Sequence, residues 1–183
     1  MIYDLHRLPG FPELPKVPGG KGPASLVPGR AVPVLLEDHL AQHGPPPYDA
    51  AEAVAALVPA PAEAVESVVA TCDTRREPVR PLSWEEAVPA DDLAALWLAP
   101  HLVLDGLQLT ATAIGALDAY IDLGPVASPR LRAALRQAIA ERDRAALDLV
   151  PTQVADAPVE TAAVALTAEM LAQVALFARY GRA

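Results

Sequence analysis

The sequence predicts an all-α protein, a small helical bundle over residues 33–183 led by an irregular Pro/Gly-rich arm over residues 1–32. Composition is the first reason. Of the residues, 52% are hydrophobic but only 4% aromatic, so the core must be built from Ala, Leu and Val. Ala and Leu have the most favourable helix propensities, and the β-branched and aromatic residues that suit a pleated sheet are, Val apart, scarce. The second reason is periodicity in the C-terminal half. Leu107, Ile114, Leu117 and Ile121 recur at helical spacing, as do Leu131, Leu135, Ala138 and Ile139, and then Val159, Ala163, Leu166, Met170, Val174 and Phe177. The third is the placement of proline: ten of the 20 fall in the first 47 residues. Each fixes its own φ and removes a donor, and each pushes its predecessor out of the helical region.

The arm is not a plain solvated linker. Its apolar side chains include Tyr3, Leu5, Leu8, Phe11 and Leu14, and burying a large one contributes up to about 1.5 to 3 kcal/mol. These five are the expected partner-binding residues. Pro33 then opens a short helix that Gly44 closes, the usual asymmetry of helix ends. After Gly44-Pro45-Pro46-Pro47 breaks the chain, Asp49 is placed to cap a helix over 50–58. A further helix is expected over 62–72, with Ala62, Val65, Val69 and Cys72 on one face, followed by a loop to residue 82.

Ser83-Trp84-Glu85-Glu86 has capping-box spacing, and Asp91 and Asp92 suit the start of a helix over 93–99. His101-Leu102-Val103-Leu104 is the best strand candidate, with a buried helical turn as the alternative. The stripe from Leu107 ends at Gly124-Pro125, Ser128-Pro129 opens the next helix, and a last one runs from Pro158 to Gly181.

Charge excludes some partners. A net charge of −9 and a pI near 4.8 argue against a nucleic-acid binder, which needs cations to displace counterions from phosphates, and against an anionic membrane surface. The stretch 159–177 is apolar but interrupted by Glu160, Glu169 and Gln173, so it is read as a buried helix rather than a span. Residues 1–7 lack the basic start and apolar run of a signal peptide, so a cytoplasmic protein is expected. Cys72, the single cysteine, cannot form an internal disulfide. Residues 31–72 carry six carboxylates and no Lys or Arg, whereas residues 128–150 carry five Arg against three carboxylates; such patches can meet within a fold or between copies.

Candidate chemistry is sparse. His39 and His43 lie four apart on a predicted helix, so both imidazoles can face one metal ion, although the carboxylate between two histidines that marks zinc proteases is missing. Asp118 and Asp122 have the same spacing, where like charges repel unless a cation intervenes. His101 sits among Trp97, Leu98, Leu102 and Val103; desolvation there would lower its pKa and suit a base, while the plainer reading is a buried ring bonded to a carbonyl. The Gly-rich stretch 17–23 lacks phosphate-loop spacing, and no serine has the context of a nucleophile elbow.

With no catalytic motif and no implied cofactor, the expected function is a non-catalytic structural or adaptor subunit of a larger bacterial or phage assembly. Its partners would be other protein subunits, met through the arm. The alternatives are a small metal-binding enzyme or accessory protein using His39 and His43, and a helical sensor with a pocket among Trp97, Leu104, Ile114 and Phe177.

Overall fold

The computed structural model describes residues 34–58, 61, 64–72, 91–124, 127–157, 159 and 163–181. In chain order the elements are α1 (Leu36–His43), a 3-10 turn (Tyr48–Ala50), α2 (Ala51–Ala55), β1 (Ser67–Thr71), α3 (Asp91–Leu98), α4 (Pro100–Ile114), β2 (Asp118–Asp122), α5 (Pro129–Arg144), β3 (Thr152–Val154), β4 (Ala163–Thr167) and α6 (Ala168–Tyr180). The strands form one four-stranded sheet in the order β3-β2-β1-β4, and every pair is parallel. The fold is therefore mixed α/β, which overturns the all-α helical bundle expected from composition.

Each misread strand has a physical cause. In β1 the residues Ser67 to Ala70 are all buried, and a strand covered on all sides loses the polar alternation that marks it, so it reads like part of a buried helix. Ile121 of β2 continues the spacing of Leu107 and Ile114 by coincidence. The chain has already turned at Gly115, whose φ of +73° is left-handed and closes α4, a conformation glycine adopts without penalty. Ala163 and Leu166 likewise extend the stripe of α6 backwards, yet they lie in β4; α6 begins only where the Thr167 side chain accepts from the Met170 N–H. The His101–Leu104 strand candidate belongs to α4 instead.

Other boundaries follow the local signals. Ser128 Oγ accepts from Leu131 N at 3.2 Å, with Pro129 in the first turn of α5, and Gly181 closes α6. Asp49 falls within the 3-10 turn, and α2 is shorter than expected and has no side-chain cap. The capping box at Ser83 lies outside the described residues.

α4 is the centre of the molecule. Every residue from Pro100 to Ala111 is buried, as expected for a helix apolar around its whole circumference. It packs against β1, β2, α2, α3, α5 and α6. The strand residues that join this core are Val68, Ala70, Ala119, Ile121, Val154 and Leu166, which alternation and register place on one face of the sheet. The crossovers β1-α4-β2 and β2-α5-β3 step the same way across the sheet, and with the right-handed sense of such units both helices fall on that face. α6 packs on α4 and completes the layer.

Gln108 of α4 fixes the entry to β3. Its Oε1 accepts from Leu149 N at 2.9 Å and Val150 N at 3.0 Å, and its Nε2 donates to Val150 O and Thr152 Oγ1, both at 2.7 Å. The acidic α1 packs beside the Arg-rich α5, so part of the uneven charge is opposed within the fold. Among the described residues no helix is long and apolar enough to cross a membrane.

Candidate functional site

Among the described residues the densest polar constellation surrounds Asp105, in the second turn of α4. Its side chain is fully buried, so its charge must be met inside the protein. Oδ1 accepts from Arg142 Nη1 of α5 at 2.7 Å. Oδ2 accepts from Arg179 Nη2 of α6 at 2.6 Å and lies 2.7 Å from His39 Nε2 of α1. One carboxylate thus ties four helices together.

The two arginines extend the network. Arg142 Nε donates to Asp148 Oδ1 at 2.7 Å, and its Nη1 also reaches the His101 carbonyl at 3.4 Å. Arg179 donates through Nε to His43 O at 3.1 Å and through Nη2 to Gly44 O at 3.3 Å, satisfying carbonyls that the end of α1 would otherwise leave open. His43 Nδ1 lies 3.0 Å from Tyr180 Oη at the surface, and the Tyr48 hydroxyl donates to Leu147 O.

Burial and pairing compete at every titratable group here. Burial alone would raise the Asp105 pKa, but the His39 hydrogen bond and the two guanidinium groups more than offset it and hold the carboxyl below its ordinary value. Burial opposes the charge on Arg142 too, and Asp105 and Asp148 overcome it, leaving that pKa raised. At Asp148 burial wins over the attraction of Arg142 and the pKa is raised. Burial, followed by the charges of Arg142 and His39, lowers His101 to about 4, so its ring is neutral at pH 7. Its Nε2 is 3.6 Å from Glu141 Oε2, too far for a hydrogen bond, and Nδ1 has no partner among the described residues. Burial also lifts the Tyr48 hydroxyl to about 12.

The structure brings His39, His43 and His101 to one small, partly open recess beside Gln42, Val34 and Leu102. The His39 and His43 rings are 5.1 Å apart and tilted by 45°, and His101 is 5.7 Å from His39. One nitrogen of each ring is already engaged, His39 Nε2 with Asp105 and His43 Nδ1 with Tyr180. Among the described residues no group of three or more His, Cys, Asp and Glu side chains is placed to hold a metal ion. Asp118 and Asp122 stand at the two ends of β2, about 13 Å apart at strand rise, and Asp122 Oδ1 accepts from Gly124 N at 2.8 Å; they form no acid/base pair. Burial lifts the Cys72 thiol to about 12, with Asp92 and Asp122 adding to the effect, so it is held as the neutral thiol at pH 7. Leu104 is enclosed in the core, and Trp97 lies 5.3 Å beneath the Arg130 guanidinium. The arm residues Tyr3, Leu5, Leu8, Phe11 and Leu14 lie outside the described residues.

Sequence reasoning missed the hub. Asp105 looks like a cap between two stretches, yet a lone carboxylate among Leu102, Val103, Leu104 and Leu107 can be tolerated only with a buried counter-charge; that was the available signal. Nothing local distinguishes Arg142 from the other arginines of its helix. In comparison with known proteins, the chain matches no family model, and no curated protein matches its sequence at a significant level.

Proposed function

We propose that the chain is a non-catalytic structural or adaptor subunit of a larger protein assembly, which it joins through its N-terminal arm. The observation that carries this reading is the closure of the Asp105 cluster. Both carboxylate oxygens are taken by Arg142, Arg179 and His39, and the side chain has no exposed surface, so the strongest constellation of charged groups serves the packing of helices. A general base must reach a substrate proton, and Asp105 does not face solvent. The same reading places the protein in the cytoplasm, with protein subunits rather than nucleic acid or membrane as partners.

The test compares native mass and co-purifying chains for the full chain and a variant lacking residues 1–32. Loss of the assembly, with circular dichroism and melting temperature of the body unchanged, is expected. A variant that still assembles to the same mass overturns the reading.

A second reading, metal binding at His39 and His43, is favoured by the 5.1 Å approach of their rings. It predicts stoichiometric metal in purified protein or a raised melting temperature with zinc or nickel. Neither outcome would be seen in a purely structural pair.

A further inference from the structure

His39 of α1 and His101 of α4 line the same recess, with their ring centres 5.7 Å apart and their planes tilted by 38°. Both side chains are almost wholly buried. Two imidazoles that share one metal ion, each nitrogen about 2.0 to 2.1 Å from it, hold their ring centres roughly 5 to 6.5 Å apart, depending on the angle at the ion. The observed separation falls within that span. The recess offers about 10 Å³, the room of one water-sized body, so it suits a single ion and not an organic ligand.

Each ring has a carboxylate behind one of its nitrogens. His39 Nε2 lies 2.7 Å from Asp105 Oδ2, and His101 Nε2 lies 3.6 Å from Glu141 Oε2. A histidine that binds a metal through one nitrogen commonly gives the proton on the other to a carboxylate, which fixes the tautomer and makes the ring a better ligand. On both rings that leaves Nδ1 as the metal donor. At His101 this atom is buried and has no partner among the described residues, a costly condition for a polar group unless something meets it. Protonation and charge agree with an ion here. Burial lowers His101 to about 4, so at pH 7 the ring is neutral, the form that binds metals. The guanidinium groups of Arg142 and Arg179 are outnumbered by the carboxylates of Asp105, Asp148 and Glu141 around them.

We infer that His39 Nδ1 and His101 Nδ1 together bind one exchangeable metal ion of the zinc, nickel or copper class, the ions that imidazole suits. The inference rests on the metal-binding reading above, but it makes His101 the inner partner of His39 in place of His43, whose Nδ1 lies against Tyr180. Among the described residues no third His, Cys, Asp or Glu is placed to join the pair, so water fills the remaining positions. Structural zinc sites are closed by four protein ligands, whereas sites that act on other molecules keep a position open. An ion held by two side chains belongs with the second kind and can take up a ligand group from outside.

Zinc titration of the full chain at pH 7, followed through long-range 1H–15N spectra of the histidine rings, tests this. Saturation at one equivalent is expected, with the Nδ1 signals of His39 and His101 displaced and the Nε2 of both rings carrying the proton. In calorimetry His101→Gln should raise the zinc dissociation constant at least about tenfold, whereas His43→Ala should change it by less than about threefold. If the His101 variant fails to fold, the parent spectra decide alone: a His101 Nδ1 signal that zinc leaves in place overturns the inference. Zinc that displaces only the His39 and His43 signals, or that is lost with His43→Ala and kept with His101→Gln, overturns it too and leaves the metal reading standing. Zinc that binds nowhere in the recess ends the metal reading, and this inference with it.

Discussion

Gly106 of α4 lies directly against the backbone of Leu171 in α6: a Cβ at residue 106 would stand 1.9 Å from the Leu171 carbonyl oxygen. The missing side chain lets the two helices cross at close range beside the Asp105 cluster. Gly106→Ala gains about 1 kcal/mol in helix propensity, but the obstacle is backbone, which cannot swing aside, and overpacking of a core costs about 1 to 3 kcal/mol or more. Net destabilisation is expected in urea unfolding. A midpoint equal to or above that of the parent would show that the helices can separate freely.

Asp105→Asn keeps the shape of the hub and removes its charge. Arg142 retains Asp148, but Arg179 loses its carboxylate partner. Breaking a buried ion pair in this way costs about 3 to 5 kcal/mol, a large part of the stability of a domain this size. Chemical denaturation measures it, and a loss below about 1 kcal/mol would mean that the network contributes little.

Acid should destabilise the protein through His101. Its folded pKa of about 4 lies below its ordinary 6.5, so between these values the unfolded chain binds a proton that the folded one does not. Stability is therefore lost as pH falls from about 7 towards 4, by on the order of 3 kcal/mol. Asp105, with a lowered pKa, adds loss only in stronger acid, while Asp148, with a raised one, acts in the opposite sense. Comparing the parent with His101→Leu isolates the histidine: the gap between their unfolding free energies should narrow or reverse as pH drops. A gap that stays constant would place the ring in contact with water.

Local chemistry was readable where a residue acts on its own backbone. Ser128, Pro129, Gly44 and Gly181 mark helix ends by mechanisms that need only neighbours in sequence, and the helices containing His39, Leu131 and Val174 follow. The strands were not readable, because Val68 and Ala70 are enclosed by partners far along the chain, and a run of buried small residues carries no period that separates strand from helix. The same limit hid the hub. His39 was singled out for its spacing to His43, whereas its bonded partner is Asp105, 66 positions away.

Gln108→Ala should loosen one edge of the sheet. It removes the acceptor for the Leu149 and Val150 N–H groups, and leaving such donors unmet costs about 1 to 3 kcal/mol. Amide hydrogen exchange at Leu149, Val150 and through Thr152–Val154 should quicken while Val68 and Ala70 stay protected. Uniform acceleration would instead mean that β3 and the central strands open as one unit.

The grip of Arg179 on the His43 and Gly44 carbonyls has a consequence for biosynthesis. These partners are separated by 136 and 135 positions, so at roughly 5 to 20 residues per second a nascent chain exposes its first helix for about 7 to 27 seconds before the residue that clasps it is made. Throughout that interval the His43 and Gly44 carbonyls at the end of α1 wait for their partner, and the helix end is open to capture by a neighbouring polypeptide before the molecule can close on itself.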